Sequence, residues 1–291
     1  MQIASSFVLV LAICIQPYRG SSAFAPSHSK WSSGWCVNTR TPIQMSVDGA
    51  SSKERKPWDV LRFINQSSKF VTPPKLPFIG ATSDEKVTVQ PGETLWAPSS
   101  KQNFFSFAPL DDVVMGGASS STIDNNTGIW RGKVTDANNG GFVGIRSTPF
   151  KNNKSLDMRN CEGIELKVRK GDGKRFKFVV RDTTEFNGIC WTTSFDAAEP
   201  KENSILGSFG SGFGSSSGKD GTADEKGTLI RLPFANQVPT IFAKTVSGKS
   251  FDAKNVVGLQ LAYSKFEFDG KLNQNFALGD FTLQILEIRA Y

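Results

Sequence analysis

Polar and apolar side chains alternate over most of the chain beyond residue 104. In CEGIELKVRK (161–170) Ile164, Leu166 and Val168 point one way, and Glu165, Lys167 and Arg169 the other. That is the period-two signature of a strand with one buried face. RFKFVVRD (175–182) repeats it with Phe176, Phe178 and Val180. The intervening GDGKR carries a glycine turn signal, so the two runs read as a β-hairpin. IWRGKVTD (129–136), GFVGIRS (141–147), GICWTTSF (188–195), TLIRLPF (228–234), VVGLQLAY (256–263) and FTLQILEIRAY (281–291) add further strands. Gly- and Asn-rich turns join these runs and no helical stripe of any length separates them. The pattern predicts an all-β fold, a two-sheet β-sandwich of jelly-roll type.

Upstream the pattern changes. KPWDVLRFINQSSKF (56–70) places Trp58, Leu61 and Ile64 at i, i+3 and i+6, with Pro57 at a tolerable first helical position. A short amphipathic helix that docks on the main domain is expected there. The Pro-rich stretch from 71 to 100 reads as an irregular surface wrap, and 46–56 as a polar linker. SILGSFGSGFGSSSGKDGTADEKG (204–227) is a low-complexity insertion between strands, to which no chemistry is assigned.

The first 45 residues read as an address. FVLVLAICI (7–15) is an apolar run of signal-peptide length, too short to span a bilayer. Small residues follow, and cleavage after Ala23 is expected. Residues 24–45 carry hydroxyls and basic side chains and no acid. The SAFAP junction, with Phe24 directly after the cleavage point, resembles the bipartite presequence of algae with complex plastids. Plastid import is therefore expected, by signal peptide (1–23) and transit peptide (24–45), ahead of secretion or a mitochondrial destination. Any membrane attachment of the remainder would be peripheral.

Charge changes little once this address is set aside. The formal net charge is +7, but no acid precedes Asp48, whereas Arg19, Lys30 and Arg40 do. The 34 basic residues less these three leave 31 against 27 acids, a net of +4. That gives no electrostatic case for a nucleic-acid groove, so no DNA partner is expected and RNA is disfavoured. The single histidine, His28, also lies in the address. A Ser-His-Asp or Cys-His site, or a His-ligated zinc, is thus excluded from residues 46–291. Cys161 and Cys190 lack CxxC spacing and read as reduced cysteines on or beside strands.

DDVVMGGASSS (111–121) looks at first like a phosphate loop. It contains no lysine, and a strand follows it where a phosphate loop needs a helix N-terminus. The 204–227 stretch fails the same tests, because Phe213 and Asp220 stand where a Walker loop needs Gly and Ser or Thr. Residues 111–121 therefore read as a tight connection. Gly116 and Gly117 would supply positive φ or close approach, and Asp111 and Asp112 would cap the turn through their own backbone. Two adjacent acids are a thin basis for calcium, and no metal site or cofactor is expected.

DDVVMGGASSS, GIWRGKVTDANNGGFVGIRS, LDMRNCEGIELKVRKGDGKRFKFVVRD, LIRLPF and the closing FTLQILEIRAY together resemble the complex I intermediate-associated protein family, from about Phe104 to Tyr291. The resemblance implies a galactose-binding-like jelly roll over 104–291. It also implies a non-catalytic assembly factor or chaperone that holds subunits or intermediates of an organelle membrane complex. Jelly rolls place ligands on loops at one end. The candidate binding residues are accordingly Asp111, Asp112, Met115, Gly116 and Gly117, with Asn138, Asn139, Gly140, Gly141 and Phe142 of NNGGF. Asp172, Lys174 and Arg175 form a second surface.

Three other readings compete. A carbohydrate-binding module would need exposed Trp or Tyr platforms, and Trp130 and Trp191 lie in strand-like runs. An RNA-binding organelle expression factor would use Lys170, Lys174, Arg175 and Lys177 between Phe176 and Phe178, but strand alternation turns the rings away from Lys177. An enzyme would need carboxylates such as Asp111/Asp112 or Asp269/Asp280 to converge, with no histidine to help.

Overall fold

A computed structural model of the chain describes residues 57–71, 85–150, 154–169, 172–197 and 227–291. The expected signal, transit and linker segments and the low-complexity insertion up to 226 lie outside the described residues. One helix, α1 (Val60–Ser68), precedes fifteen strands among these residues. They are β1 (Lys86–Thr88), β2 (Thr94–Trp96), β3 (Phe107–Pro109), β4 (Ser120–Asp124) and β5 (Ile129–Val134). Next come β6 (Phe142–Ser147), β7 (Ser155–Asp157), β8 (Gly163–Val168), β9 (Arg175–Arg181) and β10 (Cys190–Asp196). The last are β11 (Thr228–Pro233), β12 (Val238–Ile241), β13 (Lys244–Thr245), β14 (Gly258–Ser264) and β15 (Gly279–Ala290).

Two antiparallel sheets form the expected jelly-roll sandwich. One runs β13-β12-β10-β9-β14-β6-β3, and the other β11-β8-β15-β5-β4, with β2 pairing the end of β15. A small parallel pair, β1 with β7, sits apart from both. Strands β1 and β2 correct the irregular-wrap expectation for residues 86–96. Leu95 and Trp96 are fully buried, and Trp96 meets Phe107 edge-on at 5.6 Å.

The inward side chains are those the alternation predicts. Ile164, Leu166, Phe176, Phe178, Trp130, Leu259, Leu261 and Tyr263 are all fully buried. Phe281 packs on Trp130 at 4.9 Å and on Tyr263 at 5.5 Å, and Phe176 joins the same ring cluster. Each buried ring contributes roughly 2–3 kcal/mol by leaving water. Strand β15 keeps its parity by a bulge. Phe281, Leu283 and Ile285 face inward, the register shifts between Ile285 and Glu287, and Ile288 and Ala290 then face inward. One extra residue is what moves the buried set from odd to even numbers.

The expected β8–β9 hairpin is corrected. β8 pairs with β11 and β15, whereas β9 pairs with β10 and β14, so the GDGKR connection passes from one sheet to the other. Both strands alternate because each lines the same core from opposite sides.

The docking face of α1 is also corrected. Asp59 lies before the helix as its N-cap, accepting a bond from the Arg62 amide at 2.9 Å, and Pro57 stands outside. Phe63, Gln66, Ser67 and, beyond the helix, Phe70 are buried, while Leu61 is 81% exposed and Ile64 is exposed as well. The helix docks through a face that is half polar, for a reason found in its partner.

Candidate functional site

The partner of α1 is the DDVVMGG segment. Asp112–Met115 forms one 3-10 turn, closed by Gly116 at φ 86°, a left-handed conformation that favours glycine. Asp111 and Asp112 are 0% and 1% exposed. This corrects the expectation that their carboxylates belong to a loop surface or cap their own turn.

Asp111 joins three elements. Its Oδ1 accepts the Ser121 hydroxyl at 2.6 Å, and its Oδ2 accepts the Ser121 amide at 2.9 Å on β4. From α1, Arg62 donates to the same Oδ2 at 2.7 Å and Gln66 at 3.0 Å, and Gln66 Oε1 accepts the Asp111 amide at 3.0 Å. Arg62 also donates to the Ser119 carbonyl. Burial pushes the Asp111 carboxyl above its ordinary range, while the bonds from Ser121 and Gln66 and the charge of Arg62 pull it back. A buried carboxylate needs such donors, which is why the docking face of α1 carries Arg62 and Gln66.

Asp112 ties the loop to NNGGF. Its Oδ1 accepts the Ser119 amide at 2.9 Å, and its Oδ2 accepts the amides of Gly141 at 2.9 Å and Phe142 at 3.4 Å. The flanking glycines make room for it. A Cβ on Gly117 would lie 2.3 Å from Asp112 Cγ, and one on Gly140 would lie 2.4 Å from its Oδ2. Asn138 and Asn139 both adopt left-handed φ, at 56° and 58°, and Asn138 donates to the Gly116 carbonyl at 2.9 Å. Trp58 donates its indole N–H to the Val113 carbonyl at 2.9 Å and packs on Phe63. Of the residues in this corner, Met115 is 62% exposed.

The second predicted surface lies at the same end of the sheet. Phe142 at the start of β6 faces Ser264, and Lys177 near the start of β9 faces Ala262, so both starts flank the end of β14. Within it, Lys174 pairs with Asp172 at 3.2 Å, and Arg175 grips Asp196 through two bonds of 2.8 and 2.7 Å. The loops singled out in the sequence thus lie at one end of this sheet. Sequence reasoning names Trp58 for the docking helix but misses Arg62 and Gln66, whose i, i+4 spacing was the available signal for a polar helix face.

The competing chemistries have little to work with here. Trp130 and Trp191 are core residues, with Trp191 donating to Asp182 at 2.7 Å. Phe176 and Phe178 are fully buried, and Lys177 donates to the Phe266 carbonyl on the other face. Both Asp111 and Asp112 spend their lone pairs on the fold. Asp269 accepts bonds from Thr245. No group of three or more His, Cys, Asp or Glu able to hold a metal occurs among the described residues.

No curated protein matches the chain. Among solved structures, it is similar to the family 11 carbohydrate-binding module of cellulosomal cellulase Lic26A-Cel5E from Clostridium thermocellum, at 12% identity and a TM-score of 0.41. That alignment covers 68% of this chain and 94% of the module. A second likeness, to PfGH50B, has 10% identity and a TM-score of 0.31, covering 64% of this chain and 23% of the other. The family model of Complex I intermediate-associated protein 30 matches residues 96–210, from Trp96 on β2 into the segment after β10. DDVVMGG, NNGGF and GDGKR all fall inside that match, so the three loops lie in the part of the chain that is similar to this family.

Proposed function

We propose that this chain is a non-catalytic binding protein that holds subunits or intermediates of an organelle membrane electron-transport complex while the complex is assembled. The family match over residues 96–210 carries the reading. The chemistry of the candidate corner supports it, because the two carboxylates at its centre serve the fold and large apolar groups are left outward. Val60, Leu61 and Ile64 on α1 and Met115 on the adjoining turn are all exposed. Apolar side chains kept in water suit an apolar stretch of an unassembled membrane subunit. The plastid is the proposed compartment, on the strength of the apolar run, the SAFAP junction and the acid-free segment that follows. No helix among the described residues is long and apolar enough to cross a membrane, and the proposed attachment is peripheral.

The test is mild cross-linking in cells followed by affinity purification of a C-terminally tagged chain and mass spectrometry. Unassembled subunits of one plastid membrane complex are expected, with recovery reduced in a Leu61→Ser, Met115→Ser double variant of unchanged stability. Recovery of respiratory complex I subunits would keep the assembly role and move the compartment. A partnerless chain would overturn the proposal.

A further inference from the structure

Two arginines lie buried side by side on the outer face of the seven-stranded sheet. Arg146 on β6 faces Gln260 of β14, and Arg181 on β9 faces Gly258 of the same strand, so both project from one side. Arg146 is 7% exposed and Arg181 2%. Arg146 is held between the rings of Phe70 and Phe186, 5.6 and 5.2 Å from their centroids, and donates to the Phe186 carbonyl at 3.3 Å. Arg181 donates to Cys190 Sγ at 2.8 Å and to the carbonyls of Glu185 and Phe186, while its buried Nε has no partner.

Neither guanidinium forms an ion pair with a carboxylate among the described residues. Placing two such charges together out of water is unfavourable unless an anion joins them. Burial and then the Arg181 charge already push Arg146 down to about 9.

Between them the sheet leaves room. Gly258 has no side chain, and a Cβ there would stand 3.0 Å from Ser147 Oγ and 3.9 Å from Arg181 Cδ. A pocket of about 30 Å³ opens over it, lined by Arg146, Arg181, Lys154, Thr183 and Thr184 among others. Lys154, whose side chain is partly exposed and shares Glu85 at 3.5 Å, supplies a third cation. Thr184 is exposed.

We propose that this pocket binds one compact oxyanion of the phosphate class, between the Arg146 and Arg181 guanidinium groups and beside Lys154 and the Thr184 hydroxyl. Planar forks of N–H donors match the oxygens of such a group, and, with Lys154 answered by Glu85, a doubly charged anion balances the two unpaired guanidinium groups better than a carboxylate does. The pocket volume suits a single anionic group, with the rest of any larger ligand outside the mouth.

The test is calorimetric titration of the full chain with inorganic phosphate, chloride being adjusted to hold ionic strength constant. Saturable one-to-one binding is expected. Because Arg181→Gln removes a buried group and endangers folding, the variants are Lys154→Gln and Gly258→Ala, checked for native circular dichroism. Lys154→Gln should weaken binding about three- to tenfold, and Gly258→Ala should weaken it by narrowing the floor. The absence of saturable heat, binding unaltered in both variants, or equal affinity for acetate would overturn the proposal. Displacement of phosphate by a phosphomonoester would identify the terminal phosphate of a larger molecule as the ligand. Phosphate binding that such an ester leaves intact would identify the free anion.

Discussion

A methyl group on Gly117 would have to share space with the Asp112 carboxylate, at 2.3 Å from its Cγ. Asp112 cannot retreat without releasing the amides of Ser119 and Gly141 that it bonds. Gly117→Ala is therefore expected to cost about 2–3 kcal/mol by overpacking. Gly173, at φ 64° with nothing within 4 Å of a Cβ, offers the control. Its alanine variant meets only backbone strain, about 1–2 kcal/mol. Urea unfolding of both variants checks the order, and a smaller loss at Gly117 than at Gly173 would mean that Asp112 yields to the added methyl at little cost. The same pair shows what one-dimensional reading misses at this scale. Asp111 and Asp112 look in sequence like any hydrated acid pair in a turn. Their burial depends on donors brought from α1, β4 and the NNGGF turn, far apart along the chain. The glycines beside them were legible as special positions, but not the carboxylate for which they leave space.

At the scale of elements, cross-strand pairs on the outer faces carry more than alternation suggests. Glu165 on β8 is 1% exposed on its side chain, and Arg231 on β11 and Arg289 on β15 donate to its two oxygens from the neighbouring registers. Burial works to raise the Glu165 carboxyl, and the two arginines outweigh it, leaving the group below its ordinary 4.5. A carboxyl depressed in the folded state contributes stability above the unfolded value of 4.5 and loses it as pH falls through the folded value. Wild-type unfolding free energy should thus drop between about pH 5 and about pH 3 more steeply than that of Glu165→Gln. Parallel slopes in denaturant titrations would remove Glu165 from the acid response. For α1, Gln66→Ala withdraws a donor from buried Asp111 and should cost about 1–3 kcal/mol, whereas Leu61→Ser, on a side chain mostly in water, should leave the unfolding midpoint in place. Amide exchange across 60–68 checks both, and matched protection in the two variants would contradict the polar docking face. The sequence pattern located this helix but chose its apolar side, since an amphipathic stripe normally marks the buried face. Here a buried carboxylate on the partner reverses the preference.

Over the whole molecule, period-two alternation was enough for a β-sandwich, because each strand reports which of its faces meets the core. It does not report which sheet a strand enters. Ile164, Leu166 and Val168 point into the same interior as Phe176, Phe178 and Val180, so β8 and β9 read as partners although they lie in opposite sheets. The short strands β1 and β2 were hidden by neighbouring prolines. The jelly-roll resemblance led to the expectation that DDVVMGG and NNGGF share one end, whereas the nearness of GDGKR, read as a second surface, and the paired arginines behind Phe70 and Phe186 left no mark in the pattern.

The placement of β15 has a consequence for how the protein comes into being. This strand, the last in the sequence, is not at an edge; it stands in the middle of its sheet, with β8 on one flank and β5 on the other. Until residues 279–290 are in place, β11–β8 and β4–β5 are two unjoined pairs with a vacant lane between them. Only residues 279–290 join the two pairs, so the sheet closes through contacts between residues far apart along the chain. Closure through such distant pairings is slow beside the formation of a local hairpin, so in refolding the amides of β15 are expected to gain protection after those of β4 and β5.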